Sequence, residues 1–464
     1  MQQYSDTIQD RNGNVIPGAT VTVTDYPSGT TSTTYATNAP GSSTNPITAD
    51  SNGQYSFYAI DGSYTITTSK SGITTSTKVI TLKDESSVAN ASGFGVTADG
   101  TTDDTTALQA AITASYGKTL VLPAGTIKVT SGLSITSAIN IVGQGQEETY
   151  IQWTSTTLDV ISVASASAVH FSGIGFAGPG SATAGAIITL AHSGVGTNFF
   201  SSVQNCAFSG GYDHIKSVSA AAYTVCNNYF SAFVRRAITV TSTNVPDAGD
   251  CAVYGNVFAN GIAGSVGIYQ TSSGGLKVFG NKFNGLGARA YQMQLASGVS
   301  TSILLFTNNS VENHTTDAMK FATDGGGAGF SQVVIANNQF ALTPYFIDMS
   351  TASAFLTGVT ITGNSFTLNG SGTYCINMGA IVGYSITGNN FYGTGGTPTG
   401  ILLGASCSGG QVGPNNYQSI TTPVNDSSTS KAKVYFNDTQ ALVNGVQFPA
   451  TQVPSSDVNC LDDY

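Results

Sequence analysis

Val225-Cys-Asn-Asn228-Tyr-Phe230, Val253-Tyr-Gly-Asn256-Val-Phe258 and Val278-Phe-Gly-Asn281-Lys-Phe283 are three copies of one pattern. An apolar residue is followed three places on by asparagine and two places later by an aromatic. Phe306…Asn309…Val311, Ile335…Asn338…Phe340, Ile361…Asn364…Phe366, Ile386…Asn389…Phe391 and Val412…Asn415…Tyr417 continue the series, with asparagines 25 to 29 residues apart. Weaker copies precede it at Val203…Cys206…Phe208 and Phe171…Ile174…Phe176. A period of this size fits one coil of three short strands and three turns. Asparagine tolerates the left-handed region of a tight turn and can bond to the next asparagine in a ladder. The aromatic two residues on points to the same side, so stacking it coil on coil fills an interior. The repeat predicts an all-β chain over residues 131–420: a single-stranded parallel β-helix of about ten coils, roughly 50 Å long at about 4.8 Å per coil.

Composition agrees. Only 9% of the 464 residues are charged, against roughly 25% in an average soluble domain. Glycine (55), Phe (22), Tyr (21) and an apolar fraction of 40% exclude a disordered chain. A net charge of −10 with 15 basic residues argues against nucleic acid as partner. No apolar run reaches the roughly 20 residues of a membrane span, so membrane insertion is not expected. Met1-Gln2-Gln3-Tyr4-Ser5-Asp6 has neither the basic nor the apolar region of a secretory signal. The six cysteines form no CxxC pair and no metal-ligand spacing, so reduced buried thiols, no metal and no cofactor are expected.

Upstream of the repeat, residues 1–85 alternate turns with period-2 strands: Asn52-Gly53 before Gln54-Tyr55-Ser56-Phe57, Asp61-Gly62 before Ser63-Tyr64-Thr65-Ile66. A small β-sandwich is expected there. The stretch "GNVIPGATVTV…DSNGQYSFYAIDGSYTI" resembles the carboxypeptidase-regulatory-like (transthyretin-like) sandwich, also found at the N-termini of phage tail appendages. Residues 86–130 include "GFGVTADGTTDDTTALQAAITASYGKTLVLPAGTIKV", in which Thr102 or Asp103 is expected to cap an amphipathic helix carrying Ala107, Leu108, Ala111 and Ile112 on one face. This segment resembles the N-terminal cap of pectate-lyase-like proteins, which implies a right-handed β-helix. Asp99, Asp103 and Asp104 are read as structural. The final segment, 421–464, ends in "VQFPATQVPSSDVNCLDDY" and resembles a connector of bacteriophage tail fibre and tailspike proteins that leads to a C-terminal domain.

Candidate chemistry follows from counting along the coils. Eight residues past the ladder position stand His214, Arg236, Arg289 and Asp317; ten past stand Lys216, Tyr291 and Asp348, with Arg235, Glu312 and Lys320 near by. A glycan groove is the functional expectation: His214, Lys216, Arg235, Arg236, Arg289 and Tyr291 hold sugar, and Glu312, Asp317 and Asp348 supply acid–base carboxylates. Coils one or two apart bracket the carboxyl spacings of retaining (about 5–5.5 Å) and inverting (about 6.5–9.5 Å) glycosidases. A solvated surface charge is the ordinary alternative for each of these acids. Asp247 with Asp250 is the second-choice pair, with a turn role the plainer reading. His170 and His192 read as structural, and the tip Asp324-Gly325-Gly326-Gly327 matches no phosphate loop. The Asp-Asp and Gly-His-Gly motifs of polygalacturonases are missing from the repeat.

The combined resemblances imply a phage tailspike or tail fibre, a homotrimeric virion component made in the host cytoplasm. Its N-terminal domain would attach to tail or adaptor proteins, and its helix would meet a bacterial surface polysaccharide. It is expected to cleave that polysaccharide, by hydrolysis in preference to elimination. The alternative is a non-catalytic fibre whose helix is a spacer and receptor-binding rod.

Overall fold

The computed structural model describes residues 1–38, 42–83, 87–164, 166–191, 200–241, 250–271, 274–285, 287–323, 329–350, 356–368, 374–429 and 433–434. Asp247, His192, the 324–327 tip and 435–464 of the terminal segment lie outside them. The chain divides into two compact units, Met1–Ser87 and Val88–Tyr464.

In the first unit, Gln2–Thr7 pairs antiparallel with Gln54–Ala59. A second antiparallel sheet has the order Ile47–Thr48, Thr20–Asp25, Gly62–Lys70, Ile73–Leu82. Alternation sends Val21, Val23, Phe57 and Ile66 into one shared core while Gln54 and Ser56 stay outside.

The second unit is a parallel β-solenoid. Among the described residues its three sheets, here A, B and C, hold 13, 12 and 14 strands. One coil runs from Thr224–Cys226 in sheet C, through Asn228, to Tyr229–Ser231 in sheet A and Arg236–Thr241 in sheet B. Below the asparagine-marked coils the stack continues through strands such as Gly125–Lys128 and Thr149–Gln152, which pair in the same parallel register.

The asparagine turn binds each coil to both neighbours. Asn309 Nδ2 donates to the carbonyl of Val278 (3.0 Å) and to Asn338 Oδ1 (3.0 Å). Its own Oδ1 accepts from the backbone N–H (2.9 Å) and Nδ2 (3.0 Å) of Asn281. The same set recurs from Asn228 to Asn389, and the N–H of Cys206 closes the lower end on Asn228 Oδ1 at 2.9 Å. Every one of these side chains is buried, so the ladder satisfies polar groups that water cannot reach. Beside it Phe176, Phe208, Phe230, Phe258 and Phe283 stack with centroids 4.5–4.9 Å apart, offset-stacked pairs that add to plain burial.

Helix α1, Thr105–Ala114, covers the open end and buries Leu108, Ala111 and Ile112. Its N-cap is Asp104, not Thr102 or Asp103, because a short strand, Asp99–Asp103, occupies the residues before it. Asp104 turns its carboxylate back onto the N–H groups of Thr97 (2.8 Å) and Ala98 (3.0 Å), while Asp103 accepts from the N–H of Thr105 (3.1 Å). Asp99 accepts from the N–H groups of Thr102 and then Thr101, bonds that hold its carboxyl well below the usual range.

Candidate functional site

Sheet B carries two outward columns. In each strand an inward residue such as Ile238 sets the register, and the residue two before it and the one after it lie on the outer side, where neighbours can still cover them as they cover Thr239. The first column pairs Asp213, Arg236, Val266 and Arg289 in register and continues through Asp317, Tyr345, Tyr374 and Thr399. The second, three residues further along, runs Lys216, Thr239, Tyr269, Gln292, Lys320, Asp348, Asn377. Ile215, Ile238, Ile268, Tyr291, Met319 and Ile347 form the inward column between them.

The charges on this face are organised in pairs that cross from coil to coil. Arg235 Nε donates to Asp213 Oδ1 at 2.8 Å and Nη2 to the other oxygen, a two-point clamp on a carboxylate that is only 1% exposed. That bond, against an opposing desolvation, raises the Arg235 guanidinium above its ordinary range. Arg289 reaches Asp317 at 3.1 Å, and Lys320 pairs with Asp348. Aromatic rings lie among them. Arg235 packs over Tyr212 at 4.4 Å, Arg236 over Tyr269 at 3.3 Å, and Tyr345 stacks on Tyr374 at 4.6 Å. Desolvation, and then the neighbouring Arg235, push the Arg236 guanidinium below its ordinary range. Burial first of all pushes the Tyr374 phenol up to about 12.

Six of the expected site residues therefore share one face: Lys216, Arg235, Arg236, Arg289, Asp317 and Asp348. Three do not. His214 lies inside, its Nε2 2.8 Å from the carbonyl of Gly210 and its ring 5.6 Å from that of Phe208; burial pushes it down to about 3. Tyr291 is fully buried and donates its hydroxyl to Gln270 Oε1 at 2.6 Å. Neither can touch a glycan on the surface. The reason is the corner between sheets A and B, which varies by one residue. Seven residues separate Cys206 from Asp213 and Asn338 from Tyr345, but eight separate Asn228 from Arg236 and Asn281 from Arg289. A shift of one exchanges inside for outside. Glu312 belongs to sheet A, in Ser310–Glu312, beside Lys282 (3.8 Å) and the hydroxyl of Ser310 (3.1 Å), and so is outside both sheet B columns.

Counting from the asparagine overlooked Tyr212, Asp213, Tyr269, Gln292, Tyr345 and Tyr374. Counting outward from the inward aliphatic of a sheet B strand finds all but Tyr212 and Gln292, because Ile215, Ile238, Ile268, Ile347 and Ile376 mark the register directly, whereas the strand of Gln292 has Tyr291 in that place. Elsewhere, Asp250 lies 3.8 Å from Lys277 on an exposed loop, and His170 Nδ1 lies 2.9 Å from the hydroxyl of Ser202. Among the described residues no group of three His, Cys, Asp or Glu is arranged to hold a metal. Five cysteines are buried thiols that form no disulfide among the described residues; Cys460 lies outside them.

Residues 88–178 match the family of rhamnogalacturonase A/epimerase, pectate lyase-like proteins. The A-module of a mannuronan C-5 epimerase from Azotobacter vinelandii superposes with a TM-score of 0.58, over 75% of this chain and 97% of that one, at 15% identity. The fold is a pectate-lyase-like right-handed parallel β-helix. PfbA, a surface adhesin of Streptococcus pneumoniae, shares this fold with a TM-score of 0.52, over 73% of this chain and 93% of that one, at 14% identity. In sequence, a mannuronan C5-epimerase of Azotobacter vinelandii is 45% identical over 73 residues, which are 14% of this chain and 7% of that protein. The match thus spans a small part of its relative. An enzyme that acts on a polysaccharide and an adhesin share this β-helix, so the fold alone does not choose between catalysis and binding.

Proposed function

We propose that this chain is a phage tailspike or tail fibre that binds a bacterial surface polysaccharide along the outer face of sheet B. The observation that carries the glycan reading is the row itself: four tyrosines and three ion pairs on a rigid sheet. Aromatic faces take the apolar side of a sugar ring, and fixed charged groups bond its polar edges. From the strand of Lys216 to that of Tyr374 there are six coil steps, about 29 Å at roughly 4.8 Å each. That length suits an extended polymer. Polysaccharide-acting relatives support the ligand class. The resemblances of the N-terminal unit, the cap and the terminal connector support the tail assignment, in which the first unit attaches to tail or adaptor proteins and three chains form one spike.

A depolymerase is the second reading, with Asp317 and Asp348 as its carboxylates. Asp317 stands three residues before Lys320, whose register partner is Asp348. Strand geometry puts their Cα atoms about 11 Å apart, closer to the wide spacing of inverting glycosidases than to the narrow one of retaining enzymes. Both carboxylates are held by a cation, which favours the binding reading.

The test is incubation of the whole chain with capsule and lipopolysaccharide from a panel of strains, scoring retention, released reducing ends and absorbance near 232 nm. Retention without release supports a binding fibre. Reducing ends that vanish in Asp317→Asn and Asp348→Asn identify a hydrolase, whereas new absorbance identifies a lyase. No retention by any surface glycan of a bound host overturns the reading.

A further inference from the structure

Where the chain enters sheet C, one residue of each coil takes the left-handed backbone region. Gly275, Ile303, Gln332, Gly358 and Gly383 are successive members, with φ between 60° and 69°. The pairs that flank them, such as Ser302 with Ser331 and Leu304 with Val333, keep them in one column. Two members of this column are large and apolar: Ile303 at φ 63°, and Phe200, four coils below, at φ 62°. They are 39% and 72% exposed. A left-handed backbone presses Cβ against the following carbonyl, which glycine escapes and a β-branched residue feels most. Glycine serves the same corner at Gly358 and Gly383, so the turn itself does not call for isoleucine. Ile303 is strained and exposed, and strain kept on a surface marks a residue retained for contact.

Ile303 borders an apolar face, the outer side of sheet C. Phe279, 38% exposed, stacks on Tyr254 with centroids 4.9 Å apart. Half-buried Leu305 and Val334 follow Lys277 in register. From the strand Ser202–Gln204 to the strand Ile381–Thr387, the outward positions among the described residues carry one charge, Lys277, which lies 3.8 Å from Asp250. Seven coil steps separate those strands, about 34 Å at roughly 4.8 Å each. The longest strands between them have eight residues, about 26 Å at roughly 3.3 Å per residue. The face thus offers an area on the order of 800 Å², which is what each partner covers in a standard interface.

We infer that this face of sheet C, with Ile303, Leu305 and Phe279 at its centre, docks on a second copy of the chain. This rests on the reading that several chains form one spike, and it assigns the face they share. Charge favours a copy over another partner. At a net charge of −10 two copies repel each other, and approach is least opposed where no carboxylate faces out. A basic partner would find no acid there to hold. Period favours a copy as well, because a second solenoid of this sequence has the same coil rise and its ridges stay in step with these along the rod. Aromatic and aliphatic side chains with charge depleted are the composition of an interface core. The ion pairs and tyrosines of the glycan row lie on a different sheet.

Sedimentation velocity of the full chain over a wide range of concentration tests this. The expected result is an assembly of more than one chain, for which Leu305→Asp and Phe279→Glu raise the concentration needed at least tenfold. Ile303→Gly weakens assembly too, yet it raises the thermal unfolding midpoint of the separated chain by releasing the left-handed strain. A residue kept only for folding would do the opposite. Tyr392→Ala, which removes an exposed ring from sheet A, leaves assembly unchanged. Should the charged variants unfold, Ile303→Gly alone decides. Assembly indifferent to all three variants overturns this face and leaves the several-chain spike standing, whereas a single chain at every concentration overturns both. Assembly lost in Tyr392→Ala as well is unspecific sticking and overturns the docking face. Ile303→Gly that leaves assembly untouched makes Ile303 a residue of the corner alone and overturns the argument from strain.

Discussion

The guanidinium of Arg289 grips Asp317 of the next coil through one carboxylate oxygen, with Nη2 at 3.1 Å and Nε at 3.3 Å. The pair ties two coils together on the outside, as the asparagines do on the inside. Its side chains are 24% and 10% exposed, so water screens it only partly. Asp317→Asn should lower stability by about 1–3 kcal/mol, and a double-mutant cycle with Arg289→Gln should return a coupling near 1 kcal/mol in urea unfolding. A coupling of zero would mean that the two charges are solvated independently.

Tyr291 and Tyr345 separate inside from outside. Tyr291→Phe deprives buried Gln270 of one partner and should cost about 1–2 kcal/mol in unfolding, leaving glycan retention unchanged. Tyr345→Ala removes half of an outward stack and should weaken retention about tenfold with little change in stability. The reverse outcome would place the binding face elsewhere.

The ladder predicts an unequal response among asparagines. Asn309→Ala leaves the buried N–H of Asn281 and the carbonyl of Val278 without their side-chain partner, a loss of about 2–6 kcal/mol. Asn390, on the outer side of sheet A, accepts one bond from Asn416 in water; Asn390→Ala should change stability by less than about 0.5 kcal/mol. Chemical denaturation of both variants measures the contrast.

Acid should destabilise the solenoid chiefly through two imidazoles. Burial pushes His214 and His314 down to about 3, from an ordinary value of 6.5. Neither nitrogen of His314 has a partner among the described residues. Between these values the unfolded chain binds more protons than the folded one, so stability falls as pH drops from about 6.5 towards 3. The slope is roughly 1.4 kcal/mol per pH unit for each histidine. His314 stands five residues past Asn309, as Phe233 stands five past Asn228. His314→Phe should therefore remove about one histidine's share of the slope in urea midpoints taken between pH 6 and 4.5, leaving the share of His214 and the smaller one of His170, which burial also lowers.

The architecture was legible because its signal repeats. An Asn-x-Phe period read many times over averages out local irregularity, and the turn and core positions follow from it. The face was only half legible because its register depends on corners read one at a time. Asp317 and Arg289 fell correctly because their corners are eight residues long. His214 and Tyr291 fell wrongly because the count of eight does not suit the corner of the first, and the count of ten does not suit that of the second. Glu312 drew attention as a rare glutamate, but scarcity in composition says nothing about which of three sheets a residue occupies. The corner leading to Asp213 encodes its own length, which is visible only against the aliphatic that follows.

Each rung of the asparagine ladder is chemically the same as the next, so a whole coil can be added or removed without creating a new kind of contact. The reach of the outer row is then set by counting, not by shape: a ruler with divisions of about 4.8 Å. A lineage could lengthen or shorten its grip on a polymer by duplicating or deleting some 25 to 29 residues, while the order of side chains along the row carries the message. Extent and specificity would vary separately in such a molecule, one by arithmetic and the other by substitution.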